Sequence, residues 1–461
     1  MSPRTRPSAA LAAASAALAL LAGCAASAID DNVAAARAEV AARGGPDFSW
    51  LATDAARAQA VTDVARLLRE PLSADDAVRV ALSHDPALQA LLYDRAAASA
   101  DATQSARLPN PVFAFERLAG GGQLELTRAL TLPLFDLLLL PSRTRQAGAA
   151  QQRLRLQLAA DVLRAAAAAR VAWVDAVAAE QSLRYARQVR DAADAGATLA
   201  RRLEASGSFS ALQRAREEAF VTDAAVGLAQ AQRAQRRTRE TLVRALGLDA
   251  GEAGALRLPE HLPELPATLP PAASSQQPAL DARLDLRLAR ARLDELARAL
   301  GVARLAGTAD ALDIGAERRT QTGTPREHGI TLSVPLPLFD TGDAAHAAAG
   351  ARMNAALART SAIAVNAASQ LREADGERRD ALALALEFRD RLVPLRASIT
   401  GENLLRYNGM LASPFDLLAD ARDQARTVQQ AIAAQRDYWL ADAAWQSAMS
   451  GIPSPDLAEA P

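Results

Sequence analysis

Four short segments of the chain alternate apolar and polar residues, and they occur as two pairs that each predict a β-hairpin. The segments are Val112–Arg117, Leu124–Leu134, Leu312–Thr320 and Ile330–Leu338. A turn rich in glycine, threonine or proline separates the members of each pair. Strands of roughly 8–11 residues cross an outer-membrane bilayer when tilted. The pattern therefore predicts strand hairpins at about 111–135 and about 311–339, either spanning a membrane or capping a helical domain.

Four strands are too few to close a membrane-spanning barrel. An open sheet would leave its two edge strands with unpaired N–H and C=O groups in lipid, at a cost of several kcal/mol each. A spanning barrel must therefore be completed by other copies of the chain, and three copies would supply twelve strands.

Each predicted hairpin is followed by an unusually long helical pattern. From Ser142 to Ser206 there is no proline, which allows a helix of roughly 65 residues and about 95 Å. The second run, Ala344–Tyr407, contains Pro394, which should kink or end a helix locally. Shorter helices, Ala211–Leu246 and Asp416–Ser450, return after a short turn. The pattern predicts helical hairpins at about 142–246 and about 344–450.

The order of strands and helices is repeated, with equivalent residues 204 positions apart. Pro133-Leu-Phe-Asp136 recurs as Pro337-Leu-Phe-Asp340, and Gly247 recurs as Gly451. We therefore divide the chain into a mature N-terminal segment with weak helical pattern (24–71) and two structural repeats (72–248 and 281–451). A Pro-rich connector (249–280) joins the repeats, and a disordered tail (452–461) follows the second.

The first 23 residues have the pattern of a lipoprotein signal peptide. Arg4 and Arg6 precede an apolar run, and Leu-Ala-Gly then leads to Cys24, the only cysteine of the chain. This pattern predicts a lipidated Cys24 as the first mature residue, although a plain secretory peptide has a similar layout. Ala25 is not aspartate, so the outer membrane is favoured.

Candidate chemistry is sparse. The net charge is −1, so no overall field favours nucleic acid. Asp343 and His346 are three residues apart, but the other histidines are scattered, and we expect no metal site. No phosphate-binding loop or nucleophile motif is present. We expect no catalytic residues, no enzyme activity and no cofactor beyond the lipid on Cys24.

Several of these motifs together resemble the TolC family of outer-membrane efflux proteins, and its lipoprotein branch in particular. The resemblance runs from Ala77 to Gly451. Its most specific elements are the repeated Pro-Leu-Phe-Asp, Ala-Leu-Gly-Leu at 245–248, and Tyr407-Asn-Gly409 leading to Phe415-Asp-Leu-Leu418.

The resemblance implies a mainly α-helical homotrimer with a membrane β component. Two β-hairpins per chain would form a 12-stranded outer-membrane barrel, and antiparallel helical hairpins would continue it as a tunnel into the periplasm. The chain would be a passive, gated exit duct of a tripartite efflux or type I secretion system. Its partners would be a periplasmic adaptor and an inner-membrane pump.

The resemblance also implies roles for residues at the helix tips. Asp416 and Tyr407 match the aspartate and tyrosine of the family's tunnel constriction, and Asp420 is displaced by one residue from the second aspartate position. Ala412 replaces the family's arginine, so the predicted gate carries fewer charges. Asp416 could equally cap its helix, and Tyr407 could be a packing residue. The expected adaptor-docking tips are Gly207, Ser208, Phe209, Ser413, Pro414 and Phe415.

Two alternatives belong to different functional classes. A periplasmic coiled-coil adaptor or scaffold lipoprotein also has a long helical hairpin, but normally one per chain and no spanning strands. A degenerate paralogue that folds without exporting would keep the pattern while losing charge at the tips. The paired hairpins favour the duct.

Overall fold

The computed structural model of the chain describes residues 29–269, 280–306, 312–334 and 341–452. It is mainly helical with one small antiparallel sheet, which confirms the predicted fold class for a single chain. No helix in these ranges is both long enough and apolar enough to cross a bilayer. Cys24, and the end of the strand predicted to reach Leu338, lie outside the described residues.

From residue 29 onward, four helices precede the sheet: α1 (29–41), α2 (Asp54–Leu67), α3 (Ala74–His84) and α4 (Pro86–Ser105). The N-terminal segment has a weak sequence pattern, yet its apolar residues are packed. Val40, Phe48 and Val64 are buried. The indole N–H of Trp173 donates to the carbonyl of Leu72 at 2.8 Å. Because these partners are distant in sequence, periodicity alone could not reveal this packing.

The sheet contains β1 (Val112–Gly120), β2 (Gln123–Pro133), β3 (Asp313–Gln321) and β4 (Glu327–Ser333), in that order and all antiparallel. Gly121 and Gly122 join β1 to β2 with φ of 61° and 79°. Two successive positive φ values suit a two-residue hairpin turn and favour glycine. Thus the two predicted hairpins form, and they join along β2 and β3 into one sheet.

The first long helix, α5 (Leu134–Ala205), has 72 residues and begins eight residues before the predicted start. The prediction began after Pro141, but Pro141 lies inside the helix. The backbone N–H groups of Leu134 and Phe135 both donate to the carbonyl of Leu312, at 2.8 and 3.1 Å. These bonds end the β2 ladder and satisfy N–H groups that a helix start leaves without helical partners.

The returning helix α6 (Ala211–Leu246) has the predicted bounds. A capping box between Ser210 and Gln213 begins it, and Gly247 ends it with φ of 69°. A Cβ at Gly247 would lie 2.6 Å from Cα of Asp85, so this close approach requires glycine. The short α7 (Ala250–Ala255) follows.

The connector then runs without helix up to residue 269. The carbonyl of Pro263 accepts from Gln435 and Trp439, and Leu265 is buried with Leu382 and Tyr438. These contacts hold the connector against the second helical hairpin.

After α8 (Leu284–Ala306), the second repeat continues from the sheet into α9 (Asp343–Glu387). A π-helical turn, Phe388–Leu392, separates α9 from α10 (Val393–Asn408). Pro394 is in the first turn of α10, where its missing N–H is tolerated. The predicted interruption at Pro394 is therefore confirmed. Helix α11 (Pro414–Ser450) returns after the turn.

The chain divides into two compact units, each drawn from both repeats. The first contains Tyr93–Ala159 and Leu284–Val365, together with the chain up to Ala38, and holds the sheet. The second contains Glu39–Leu92, Ala160–Arg283 and the chain from Asn366 onward, and holds both helix tips. The sequence repeats are therefore not separate compact bodies.

Candidate functional site at the helix tips and on the sheet faces

The first tip joins α5 to α6. Gly207 has φ of 74°, and Ser208 N donates to the carbonyl of Leu203 at 2.8 Å, which closes the last turn of α5. Gly207 and Ser208 are exposed, but Phe209 is only 7% exposed. Of the three predicted docking residues of this tip, two are therefore accessible and one is packed inside.

The second tip joins α10 to α11 and presents apolar side chains that the sequence analysis missed. Met410 has φ of 61°, which is uncommon for a residue with a Cβ. Its side chain is 94% exposed, and that of Leu411 is 82% exposed. Two apolar residues in a turn between Gly409 and Ser413 are the signal that could have identified them.

Asp416 is part of a capping box at the start of α11. Its backbone N–H donates to Ser413 Oγ at 3.2 Å, and its carboxylate accepts from Ser413 N at 3.3 Å and Ser413 Oγ at 2.7 Å. Pro414 occupies the first turn. The capping interpretation of Asp416 is therefore satisfied by the geometry, and the same exposed carboxylate remains on the surface of the tip.

Asp420 lies one helical turn after Asp416, so the two carboxylates share a face of α11. The Asn403 side-chain amide donates to Asp420, and Arg396 is 3.3 Å from Asp423. Both contacts join α10 to α11. Tyr407 is half-exposed in the last turn of α10. The hairpin thus holds the three predicted gate residues on its two helices, with Asp420 engaged by an asparagine.

The two helical hairpins contact each other near their tips. A Cβ at Gly196 of α5 would lie 3.3 Å from Leu418 of α11, so glycine permits the close approach of these helices. The Arg216 guanidinium lies 5.6 Å from the centroid of the Phe415 ring. Phe415 is consequently half-buried against the first hairpin.

A buried ion pair reinforces this contact. Glu217 of α6 is 1% exposed and is paired with Arg422 of α11. The Arg422 guanidinium also stacks on Phe220, 4.7 Å from its centroid. Seven residues, or two helical turns, separate Glu217 from buried Ala224 on α6. That spacing was the available signal that Glu217 faces inward.

A second charged cluster joins α9 to α11. Arg378 is 5% exposed, lies 3.3 Å from Asp375 and 3.4 Å from Asp442, and stacks on Trp445 at 3.6 Å. The Arg379 guanidinium donates to Asp375 at 2.8 Å. This hydrogen bond is the main cause that lowers the pKa of the Asp375 carboxyl, and Arg378 adds to it.

The two faces of the sheet differ in chemistry. One side, which we call the apolar face, carries the exposed Phe113, Phe115, Leu130, Leu132, Ile314, Ile330 and Leu332. We call acidic face the opposite side, which carries Glu116, Glu125, Asp313, Glu317 and Glu327, together with Arg319 and the exposed Val112 and Leu118. Arg319 is ion-paired to Glu125 and Glu317, at 3.0 and 3.3 Å.

In the described parts of the chain, no three His, Cys, Asp or Glu side chains are grouped as metal ligands would be. His84 lies 3.1 Å from a carboxylate oxygen of Glu252. His84 and Glu252 therefore form a hydrogen-bonded pair that joins α3 to α7.

Comparison with solved structures identifies the fold. No protein-family model matches the sequence, and a search of curated proteins finds no match. The chain is similar to a membrane protein from Pseudomonas aeruginosa, with TM-score 0.70, 20% identity, and 82% and 93% of the two chains covered. It is also similar to the outer membrane protein VceC of Vibrio cholerae, with TM-score 0.67, 16% identity, and 82% and 96% covered.

A third similar structure is the open state of the MtrE outer membrane channel of Neisseria gonorrhoeae. Here the TM-score is 0.65 at 17% identity, and 83% of this chain and 90% of that chain are covered. At these identities the likeness concerns the fold. The chain has the fold of these outer-membrane channels, and the resemblance to the TolC family seen in its sequence is confirmed at the level of the fold.

Proposed function

We propose that three copies of this chain form an outer-membrane exit duct. The observation that carries the proposal is the sheet. It exposes a band of apolar side chains on one side and carries acids on the other. Its two edge strands, β1 and β4, each pair with only one neighbour within the described chain. Pairing β4 of one copy with β1 of the next would close a twelve-stranded barrel.

The chemistry of the faces supports an orientation for this barrel. Apolar residues on the outside remove their surface from water into lipid, while acids on the inside remain hydrated. The helices α5 and α9, each longer than an ordinary globular helix, would continue the barrel as a tunnel in the periplasm. The duct would be passive, and a partner pump would supply the energy.

Cross-linking of neighbouring copies tests the barrel. Ala114 on β1 and Gly329, Thr331 or Ser333 on β4 all lie on the acidic face. In three double-cysteine variants, each with Ala114→Cys and one of the β4 positions, we expect one register to give covalent trimers under oxidation. The control pair Ala114→Cys and Ile330→Cys places its thiols on opposite faces and should not cross-link. Absence of covalent trimers in every register would refute the closed barrel.

The runner-up function is a periplasmic coiled-coil adaptor or scaffold lipoprotein. Its supporting observation is the length of the helical hairpins, which coiled-coil scaffolds share. A scaffold would leave the apolar face of the sheet in water, and its trimers would not conduct ions.

Lipid anchoring at Cys24 is part of the proposal. Metabolic labelling with palmitate should mark the wild-type protein and leave the Cys24→Ser variant unlabelled. Label retained in Cys24→Ser would place the lipid on another residue, and a wild-type protein without label would refute lipid anchoring.

We further propose that the tips dock a periplasmic adaptor, which connects the duct to an inner-membrane pump. Gly207, Ser208 and Ser413 are exposed there, and the apolar Met410 and Leu411 add a surface that association with a partner would bury. Phe209 and Phe415 would act from inside, by fixing the shape of the tips.

Asp416 would give the constriction its cation preference, with Asp420 and Tyr407 beside it. Because Asp416 also caps α11, two variants separate charge from capping. Asp416→Asn removes the charge and keeps an acceptor for Ser413, whereas Ser413→Ala weakens the cap and keeps the charge. Block of single-channel current by multivalent cations should weaken only in Asp416→Asn. Equal block in wild type and Asp416→Asn would remove Asp416 from the gate.

A further inference from the structure

Within the described strands, the apolar face of the sheet carries four basic side chains and no acid. They are Arg117, Arg128, Arg318 and His328, and we call them the basic belt. Arg128, Arg318 and His328 are consecutive cross-strand partners on β2, β3 and β4, in one row with Phe115. Arg117 lies one row closer to the turn, opposite Leu126.

The belt marks one boundary of the exposed apolar band. Phe113, Leu130, Ile314, Ile330 and Leu332 are all exposed and lie on the side of the belt away from the hairpin turns. On the turn side the same face carries only half-buried Leu124, Leu126 and Thr320, and small Ala119. The belt is therefore not a random interruption of a uniform apolar surface.

The arrangement is electrostatically unfavourable in the isolated chain. Like charges directly opposite each other on neighbouring strands repel, and Arg128 faces Arg318 in this way. All four belt residues are exposed, and within the described residues none of their side chains has a hydrogen bond or ion pair to the protein. By contrast, Arg319 on the acidic face has two carboxylate partners. The belt therefore has the positive charge and the exposure expected of an anion-binding surface.

We propose that the basic belt binds the phosphate-bearing headgroups of anionic lipids in the leaflet nearest the hairpin turns. This inference rests on the proposed barrel, which places the apolar band in hydrocarbon. At the edge of that band the surrounding molecules are lipid headgroups, and guanidinium groups bind phosphate oxygens with paired hydrogen bonds. The headgroups would neutralise the repulsion between Arg128 and Arg318 and fix the depth of the barrel in the bilayer.

The test compares lipid retention by the purified full-length protein. The protein is exchanged into mixed micelles of detergent with either phosphatidylglycerol or zwitterionic phosphatidylcholine, and retained lipids are counted by native mass spectrometry. We expect the wild type to retain phosphatidylglycerol preferentially. The Arg128→Gln/Arg318→Gln variant should lose that preference by about fivefold for each arginine removed.

Two matched variants control for charge and folding. Arg319→Gln removes an arginine from the acidic face and should retain phosphatidylglycerol as the wild type does. Arg128→Lys/Arg318→Lys keeps the charge and should retain most of the preference. A wild type without preference, or an Arg128→Gln/Arg318→Gln variant that equals the wild type, would overturn the proposal. Conductance of the wild type in pure phosphatidylcholine separates this outcome from failure of the duct itself, since a conducting trimer without lipid preference refutes only the belt.

Discussion

At the scale of single residues, the contact between the two helical hairpins depends on a carboxylate that water does not reach. Glu217 is almost fully buried, and its charge is balanced by Arg422, which in turn stacks on Phe220. A buried charge is tolerated only when it is paired, because desolvation is otherwise uncompensated. The pair therefore fixes how α6 meets α11.

Removing one partner of this pair should be costlier than removing both. Arg422→Met leaves Glu217 buried without a cation, and we expect the free energy of unfolding to fall by about 3 kcal/mol. Glu217→Gln/Arg422→Met should recover much of this loss. Thermal unfolding followed by circular dichroism in detergent measures both variants. An Arg422→Met protein as stable as the wild type would mean that the pair does not stabilise the contact.

The Asp375 carboxyl, which is paired with Arg378 and Arg379 of its own helix, gives the stability of the fold a defined dependence on pH. Its pKa is lowered below the ordinary 3.8, chiefly by the hydrogen bond from Arg379. A lowered folded-state pKa stabilises the fold above the unfolded value, and the stabilisation is lost as the pH falls through the folded pKa. Asp375→Asn should therefore lower the melting temperature at neutral pH, and the difference should shrink below 3.8.

The exposed Asp380 on the same helix provides the control for this experiment. Asp380→Asn should change the melting temperature little at any pH. A difference between wild type and Asp375→Asn that stays constant from neutral to strongly acidic pH would contradict the role of ionisation.

At the scale of elements, the apolar periodicity predicted the helical hairpins and the strand hairpins because each has one face that must be buried or lipid-exposed. It predicted α6 with its observed bounds, since Ser210 and Gly247 carry standard cap signals. It misplaced the start of α5, because Pro141 is locally unfavourable for a helix. Hydrogen bonds from Leu134 and Phe135 to Leu312, in another part of the chain, stabilise that start. Such long-range bonds have no signature in a single sequence.

The tips show the same division between what local sequence determines and what it does not. The sequence predicted turns at 207–210 and 413–416. The first is observed, whereas the second turn lies at 409–413 and the helix already begins at Pro414. The inward side chain of Phe209 and the outward side chains of Met410 and Leu411 depend on how the neighbouring helices pack. Glu217 and Arg422 were missed for that reason too, since they pair across 205 residues.

If the second tip docks a partner, its apolar side chains should matter for export and little for folding. Met410→Ser/Leu411→Ser removes two exposed apolar groups, so the melting temperature should stay close to that of the wild type. Resistance to toxic compounds in a host strain lacking the native gene should drop, because partner affinity falls by about tenfold or more when central apolar contacts are lost.

Val61→Ser, at a half-exposed apolar residue of α2, serves as the matched control and should restore full resistance. Normal export by the Met410→Ser/Leu411→Ser protein would exclude these residues from docking.

At the scale of the whole molecule, the sheet separates charge between its faces. In the proposed trimer, Glu116 and Glu327 of every copy would line the pore, so the pore should favour cations. Glu116→Gln/Glu327→Gln should move the reversal potential in a KCl gradient toward zero. Arg117→Gln, on the apolar face, should leave it unchanged. An unchanged reversal potential in the double glutamine variant would argue that the acidic face does not line the conducting path.

The central claim is that three chains together make one conducting pore, and planar-bilayer recording of the detergent-purified protein tests it most directly. The mass of the same sample is determined alongside. We expect a trimer of the mature chain that gives discrete conductance steps. A monomer, or an oligomer that inserts without conducting, would contradict it and favour the scaffold function.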